Sequence, residues 1–376
     1  MKFQINSGDL LSRLQVLAKA QTNKSPIHVL DCVKLTLNAD SITLTAGDNE
    51  NTLTTSLPVS EPDNTQQTIC INTQTLIYAL RELPSQPVTV TANEQSLECS
   101  ISYQGGQFKF TGESASDYPL PQPLAETKRF ALSADTLRDG INATRTCVAN
   151  DELRPQMNGV FMDFLSDGRL AFVASDGHKL ARLICRGMSH KEIFSFILPA
   201  KTSGILLNIV GKQSCDVHIQ VDKNSIMAMT PDYTLQARLV EGRYPNYNSV
   251  IPENNPFTAT VSREELMNAL RRTMVFASVS DQLVRLHFEP GQLCLTTQDI
   301  DFSSSAEETI PCDYSENIGF TIGFSGSWLI DLLRILPSEE VRFTLADPSR
   351  AALIVPDPQA ADCELTLLLM PIMLPS

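Results

Sequence analysis

The sequence predicts an α+β protein made of three tandem copies of one unit, each with two helices packed on antiparallel sheets. Three sets of landmarks carry this reading. Phe3, Phe130 and Phe257 each open an alternating segment that runs into a helix-like pattern, at spacings of 127 and 127. Leu80, Leu207 and Leu333 fall near the ends of further helix-like patterns, at 127 and 126. Pro119, Pro245 and Pro371 close the units, at 126 and 126. Agreement in phase marks an internal repeat and places domains at 1–123, 124–252 and 253–376.

Each unit opens with a strand and a helix: Phe3-Gln-Ile-Asn-Ser into Asp9 onward, Phe130-Ala-Leu-Ser into a helix reaching Cys147, and Phe257-Thr-Ala-Thr-Val into Ser262 onward. Ser7, Ser133 and Ser262 stand where N-caps are expected, and Glu265 completes a capping box with Ser262. Alternating strands follow at Ser41-Ile-Thr-Leu-Thr, Arg169-Leu-Ala-Phe-Val and Gln292-Leu-Cys-Leu-Thr. A second strand-then-helix element then recurs: Thr68-Ile-Cys-Ile-Asn, Phe196-Ile-Leu-Pro and Phe320-Thr-Ile-Gly each lead into an apolar helical pattern. Each unit thus reads as two copies of a smaller motif, six in all. The six helices are expected at 7–21, 72–83, 133–149, 200–212, 262–277 and 325–336.

At 376 residues, 42% hydrophobic and 19% charged, the chain can bury a sizeable core. Its apolar runs are too short for a membrane span, and Met1-Lys2-Phe3-Gln4-Ile5-Asn6 lacks an apolar export signal, so a cytoplasmic protein is expected. Nine cysteines with no C-x-x-C pair point to free thiols and against a disulfide framework or structural zinc.

The net charge of -14 opposes nucleic-acid binding unless the charge is segregated. Over the six expected helix ranges it sums to +4, leaving -18 elsewhere. Helices facing phosphates beneath an acidic outer surface would fit that division. The cations of such a lining are Arg13, Lys19, Arg81, Arg138, Arg145, Lys201, Lys212, Arg271, Arg272 and Arg334. The ordinary alternative for each is a solvated helix charge. Contact with DNA would be salt-sensitive and independent of sequence.

Four ordered motifs carry a resemblance that spans essentially the whole chain: Arg154-Pro-Gln-Met-Asn-Gly159, Val173-Ala-Ser-Asp-Gly-His-Lys-Leu-Ala181, Glu241-Gly-Arg-Tyr-Pro-Asn-Tyr247 with Val250-Ile-Pro252, and Leu367-Leu-Leu-Met-Pro-Ile-Met-Leu374. With the triple repeat, they resemble the bacterial DNA polymerase III beta subunit, the beta sliding clamp family. The resemblance implies the DNA-clamp fold: three clamp domains forming half of a ring, closed by a head-to-tail homodimer around duplex DNA. It implies a processivity factor that tethers the replicative polymerase, the clamp loader and other proteins bearing a clamp-binding motif.

The family's peptide pocket, carried over by motif, comprises Arg154, Met157, Ser175, Gly177, His178, Lys179 and Leu180, with Pro245 and Val250, and Leu368, Leu369, Met370, Pro371 and Ile372 from the tail. Lys24 falls in the loop where the family has a DNA-contacting arginine. The dimer contact is expected to set Phe108 and Phe110 against Val275 and Phe276. Ser249 and Met373 replace family arginines, which alters pocket polarity.

No catalytic constellation, metal site or cofactor motif is expected. G-x-x-x-x-G-K-[ST], G-x-G-x-x-G, G-x-S-x-G and H-E-x-x-H are all missing from the sequence. His178 is the one tempting general base, and the other histidines are scattered. Two readings compete with the clamp: a divergent clamp-fold interaction scaffold not loaded on DNA, and a hydrolase built around His178.

Overall fold

The computed structural model describes residues 1–22, 26–63, 66–186, 192–211, 214–280 and 282–374. One element order occurs three times. The first copy runs β1 (Lys2–Asn6), α1 (Ser7–Leu17), β2 (Cys32–Leu37), β3 (Ser41–Gly47), β4 (Asn51–Pro58), β5 (Thr68–Asn72), α2 (Thr73–Arg81), β6 (Pro87–Ala92), β7 (Glu98–Tyr103) and β8 (Gly106–Thr111). The second runs β9 (Lys128–Ser133), α3 (Ala134–Thr144), β10 (Gly159–Phe164), β11 (Leu170–Ser175), β12 (Lys179–Cys185), β13 (Phe194–Pro199), α4 (Ala200–Val210), β14 (Asp216–Val221), β15 (Ser225–Met229) and β16 (Tyr233–Arg238). The third runs β17 (Phe257–Ser262), α5 (Arg263–Thr273), β18 (Leu283–Glu289), β19 (Gly291–Asp299), β20 (Ser304–Tyr314), β21 (Phe320–Ser325), α6 (Gly326–Ile335), β22 (Glu340–Leu345), β23 (Ala352–Asp357) and β24 (Cys363–Leu369).

Each half-repeat is four antiparallel strands and one helix, so the expected sixfold motif is present. By contacts the chain forms two compact units, residues 1–137 with 201–239, and residues 138–200 with 240–376. The first unit holds a four-stranded sheet ordered β1-β6-β7-β8 and an eight-stranded sheet ordered β5-β2-β3-β4-β16-β15-β14-β9. The second holds one sheet ordered β13-β10-β11-β12-β24-β23-β22-β17-β20-β19-β18-β21. Two seams join successive repeats: β4 pairs β16, with Leu53 opposite Leu235, and β12 pairs β24, with Leu180 opposite Leu368.

The helices bury an apolar stripe at helical spacing against the sheets. In α1 the buried residues are Ser7, Leu10, Leu14 and Leu17; in α5 they include Leu266, Met267, Leu270 and Thr273. Gly140 in α3 lets that helix close on β11, because a Cβ there would meet the Phe172 ring at 2.5 Å.

Two details of the helix boundaries differ from the sequence expectation. Asn6, not Ser7, caps α1, its Oδ1 accepting from the Gly8 N–H at 2.8 Å, while Ser7 sits inside the first turn and donates to the Pro84 carbonyl. Ser133 and Ser262 do accept cap hydrogen bonds, from the N–H groups of Thr136 and Glu265. The helices are also shorter than expected. α3 ends at Thr144, whose Oγ1 donates to the Gly140 carbonyl at 2.7 Å, and α5 ends at Thr273, whose Oγ1 donates to the Ala269 carbonyl at 2.9 Å. In both, a 3-10 turn follows, Arg145–Cys147 and Met274–Phe276. A threonine hydroxyl competing for the i−4 carbonyl weakens the last turn, so the apolar periodicity outlasts the α-helix.

Candidate functional site

The loop between β11 and β12 is organised by Asp176. Its carboxylate accepts the N–H groups of His178 and Lys179, both at 2.9 Å, and the Lys179 ammonium at 2.7 Å. Burial pushes the Asp176 carboxyl up, but the Lys179 ammonium and the two N–H groups outweigh it and hold the group below the usual carboxylate range. Gly177 sits at φ +94°, a conformation that favours glycine, and a Cβ there would lie 3.3 Å from the Arg154 guanidinium. Arg154 is itself held by Asp151 at 2.8 Å. Ser175 closes the turn by donating to the Lys179 carbonyl at 3.0 Å.

This loop presents His178 outward. The imidazole stacks on the indole of Trp328, in the first turn of α6, with ring centroids 4.7 Å apart and planes 26° from parallel. The His178 carbonyl accepts the Met370 N–H at 2.8 Å, and beyond it the Ile372 N–H donates to the Gly323 carbonyl at 2.8 Å. The tail therefore leaves β24 past His178 and follows β21. Met370, Met373 and Val250 are exposed (39%, 70% and 55%), giving an apolar rim.

A strap, residues 240–252, packs on the same apolar cluster as Leu180 and Leu368. Val240 bridges to Ile197. Tyr244 and Tyr247 are buried against Phe161, with ring centroids at 4.6 Å (stacked) and 6.1 Å (edge-on). The Tyr247 hydroxyl donates to Asp163 at 2.9 Å. Between the two anchored rings Pro245 stands exposed, and Val250 follows in a 3-10 turn.

Most of the expected pocket residues converge on this place, but they do not all offer side chains to one surface. Leu180 and Leu368 are cross-strand partners buried in one apolar cluster with Tyr244 and Tyr247, so they form a floor and not a rim. Lys179 and Leu369 are also partners, but alternation along a strand turns them to the other sheet face. Both are buried, and Lys179 is committed to Asp176. Met157 is buried as well. Pro371 and Ile372 are half-buried along the tail. Ser249 and Met373 leave the rim without the cations of the resembled family: Ser249 turns back to the Asn246 carbonyl at 2.7 Å. Trp328 was missed by sequence reasoning. Its signal was being the chain's one tryptophan, at the start of a repeated helix.

The helix cations fall into two groups. Lys19, Arg81, Arg145 and Arg271 are exposed. Arg13 is tied to Asp232 at 2.8 Å and lies over the Tyr233 ring, and Lys201 is tied to Asp48 at 2.6 Å and to the Gln21 carbonyl at 2.8 Å. Arg272 grips Glu308, and Arg334 reaches Asp331 at 3.2 Å. Arg138 is half-buried. Lys24 and Lys212 lie outside the described residues. With the observed boundaries the six helices carry 0, +1, -1, +1, +1 and 0, a net +2, half the expected excess. The shortfall follows from the shorter helices, which leave Lys19, Glu82 and Arg145 beyond them, and from Lys212, which lies outside the described residues.

β8 is a sheet edge, with Phe108 and Phe110 half-buried on one face and Phe108 against Tyr103 at 4.8 Å. β20 pairs with β17 only at Asp313 and Tyr314, so among the described residues Ser304–Cys312 keeps its second edge unpaired. Beside it Val275 and Phe276 are exposed (75% and 45%), as are Val279, Ile300 and Phe302. The last three were not singled out from the sequence. Among the described residues no cluster of three or more His, Cys, Asp or Glu could hold a metal ion, and no helix is long and apolar enough to cross a membrane.

Comparison with known proteins matches this geometry to one family. Residues 1–122, 131–246 and 248–373 match, in order, the N-terminal, central and C-terminal domains of the DNA polymerase III beta subunit. The beta sliding clamp of Pseudomonas aeruginosa is 26% identical over 358 residues, covering 94% of this chain and 95% of that protein. That of Haemophilus influenzae is 28% identical over 360 residues, with the same coverage. The crystal structure of the Pseudomonas aeruginosa DNA polymerase III subunit beta superimposes with a TM-score of 0.91 at 26% identity, covering 100% of both chains. A sliding clamp from Bartonella birtlesii bound to griselimycin gives 0.92 at 26%, again over 100% of both. The three-repeat α+β architecture is thus the clamp fold, and the chain belongs to the DNA polymerase III beta subunit family, the beta sliding clamps.

Proposed function

We propose that this protein encircles duplex DNA as a ring-shaped head-to-tail homodimer and tethers the replicative polymerase and other peptide-bearing partners, without catalysing a reaction itself. Its three domains are 1–123, 124–252 and 253–376, and it works in the cytoplasm. The observation that carries the assembly is the pattern of seams. The last strands of the six half-repeats are β8, β16 and β24 in one series, and β4, β12 and β20 in the other. Within the chain β4 takes β16 and β12 takes β24. β20 and β8 are the pair left over, and joining them between two copies repeats the same seam and removes two open edges. Phe108 and Phe110 then meet Val275 and Phe276, with Val279, Ile300 and Phe302 extending the apolar contact.

The peptide site is the cleft between the strap and the tail. An apolar rim, an aromatic wall and one nearby guanidinium suit a short extended peptide with apolar anchors. The Bartonella relative, bound to griselimycin, supports a ligandable clamp surface in this family. Phosphate contact falls to the exposed Lys19, Arg81, Arg145 and Arg271, with enclosure in place of tight gripping.

A second reading, a clamp-fold scaffold that never meets DNA, draws on the weak helix charge. One experiment separates them. Protein assembled by a clamp loader on nicked circular DNA is retained through gel filtration and released when the circle is cut. Failure to be retained on the circle, with peptide binding intact, would establish the scaffold.

A further inference from the structure

Among the described residues, one couple of the nine cysteines faces across a strand pair: Cys185, the last residue of β12, lies directly opposite Cys363, the first of β24. Both are free thiols. Opposite residues of an antiparallel ladder alternate between hydrogen-bonded pairs and non-hydrogen-bonded pairs, the latter with Cα atoms only about 4.5 Å apart. Two bonds fix the phase of this ladder. The Met370 N–H donates to the His178 carbonyl at 2.8 Å, and the Arg186 N–H donates to the Asp362 carbonyl at 3.0 Å. Both couples obey the register that sets Lys179 opposite Leu369 and Cys185 opposite Cys363. Even-numbered positions of β12 are therefore the hydrogen-bonded ones, and Cys185–Cys363 is a non-hydrogen-bonded couple. That is the closer of the two spacings, and its Cα separation falls within the range a disulfide spans.

We propose that Cys185 and Cys363 form an oxidisable dithiol site, closed by small-molecule disulfides into an intrachain bridge across the seam between the second and third repeats. Cys363 is the entry point. It is half-buried and lines a cavity of about 640 Å³ together with Arg182, Arg186, Glu253 and Glu364, whereas Cys185 is buried. The Cys363 thiolate attacks one sulfur of the oxidant, forming a mixed disulfide and expelling a thiolate. The Cys185 thiolate then attacks the Cys363 sulfur and expels the second thiolate. Two thiols of the chain are oxidised, one external disulfide is reduced to two thiols, and the two protons lost by the chain's thiols end on the expelled thiolates. Burial and the carboxylates of Asp139 and Asp362 push the Cys363 thiol up, and burial pushes Cys185 up to about 12, so the exchange is slow and responds to sustained oxidation. The couple lies at a strand end, where the ladder can adjust. The bridge pins one end of the strand pair whose other end carries His178 and Met370.

The test incubates the native full-length protein with oxidised glutathione, traps remaining thiols with an alkylating agent, and maps the peptides by mass. The expected product joins the Cys185 peptide to the Cys363 peptide and raises the midpoint of thermal unfolding. Cys185→Ser should stop at glutathione on Cys363, and Cys363→Ser should leave Cys185 unmodified. Recovery of both cysteines alkylated, a mixed disulfide that persists on Cys363 in the unsubstituted chain, or a bridge from Cys363 to another cysteine would each overturn the proposal.

Discussion

Trp328 and His178 stack at 4.7 Å, one ring from the first turn of α6 and the other from the turn into β12. The stack joins helix, strand turn and tail, because the same His178 carbonyl holds Met370. Trp328 is half-buried, so part of its side chain is open to solvent. Truncating such an aromatic wall should cost a bound peptide about 1.4 kcal/mol, tenfold in affinity. Trp328→Ala is expected to weaken a labelled clamp-binding peptide by that factor in fluorescence anisotropy, with Trp328→Phe recovering most of it. Unchanged affinity in the alanine variant would remove Trp328 from the site.

Lys201 makes a separate prediction because its partners leave it little to offer DNA. Asp48 is pushed up by burial, but the Lys201 ammonium and the N–H groups of Glu50 and Asn51 outweigh this and leave its carboxyl below the ordinary range. A depressed carboxyl stabilises the fold above its unfolded pKa, and that contribution fades as pH falls through the folded value. Lys201→Met should therefore cost about 1 kcal/mol at neutral pH in urea unfolding, with the gap narrowing below roughly pH 4. Retention on circular DNA should not change. A variant of native stability that slips from DNA would return Lys201 to the phosphate-contacting set.

The contrast between Lys201 and Trp328 shows what the sequence could disclose. Repetition was legible because the Phe3, Phe130 and Phe257 spacings record a fold built three times, and apolar alternation follows directly from strand geometry. Side-chain commitments were not legible. Arg13 and Asp232 are 219 positions apart, and only the folded chain shows that one neutralises the other. The pocket motifs fall on the loops around His178 and along the strap, but the strand period of two sends Lys179 and Leu180 to opposite faces, and a motif read as a string does not show this. Helix ends failed for a local reason: Thr144 and Thr273 end α-helices whose apolar pattern continues through a 3-10 turn.

Tyr247 should matter to the cleft without touching a ligand. Its hydroxyl donates to Asp163, whose carboxyl is pushed up by burial while the tyrosine pulls it back. A raised folded pKa means that ionising Asp163 costs stability at neutral pH and that the cost disappears below its unfolded pKa. Tyr247→Phe removes the donor, so the variant should lose about 1 kcal/mol at neutral pH and approach the parent as Asp163 becomes protonated in acid. Peptide affinity should fall modestly, since the strap carries Pro245 and Val250. A stability loss that is constant across that pH range would show that the hydroxyl does not serve the Asp163 carboxylate.

The exposed side chains of Val275 and Phe276 permit the most direct test of assembly. In the single chain they support little, so charge placed there should leave the fold intact. In the proposed seam they are covered by the face of β8 that carries Phe108 and Phe110, and a carboxylate buried without a partner costs several kcal/mol. Val275→Asp with Phe276→Asp should weaken the dimer by at least about a hundredfold. Light scattering should then give about 41.4 kDa in place of twice that mass, at an unchanged thermal midpoint of the monomer. Loss of retention on nicked circular DNA should accompany the loss of the dimer, because a half-assembled ring has no enclosure to hold the duplex. A double variant that remains dimeric would mean that the apolar edge beside β20 is not where two copies meet.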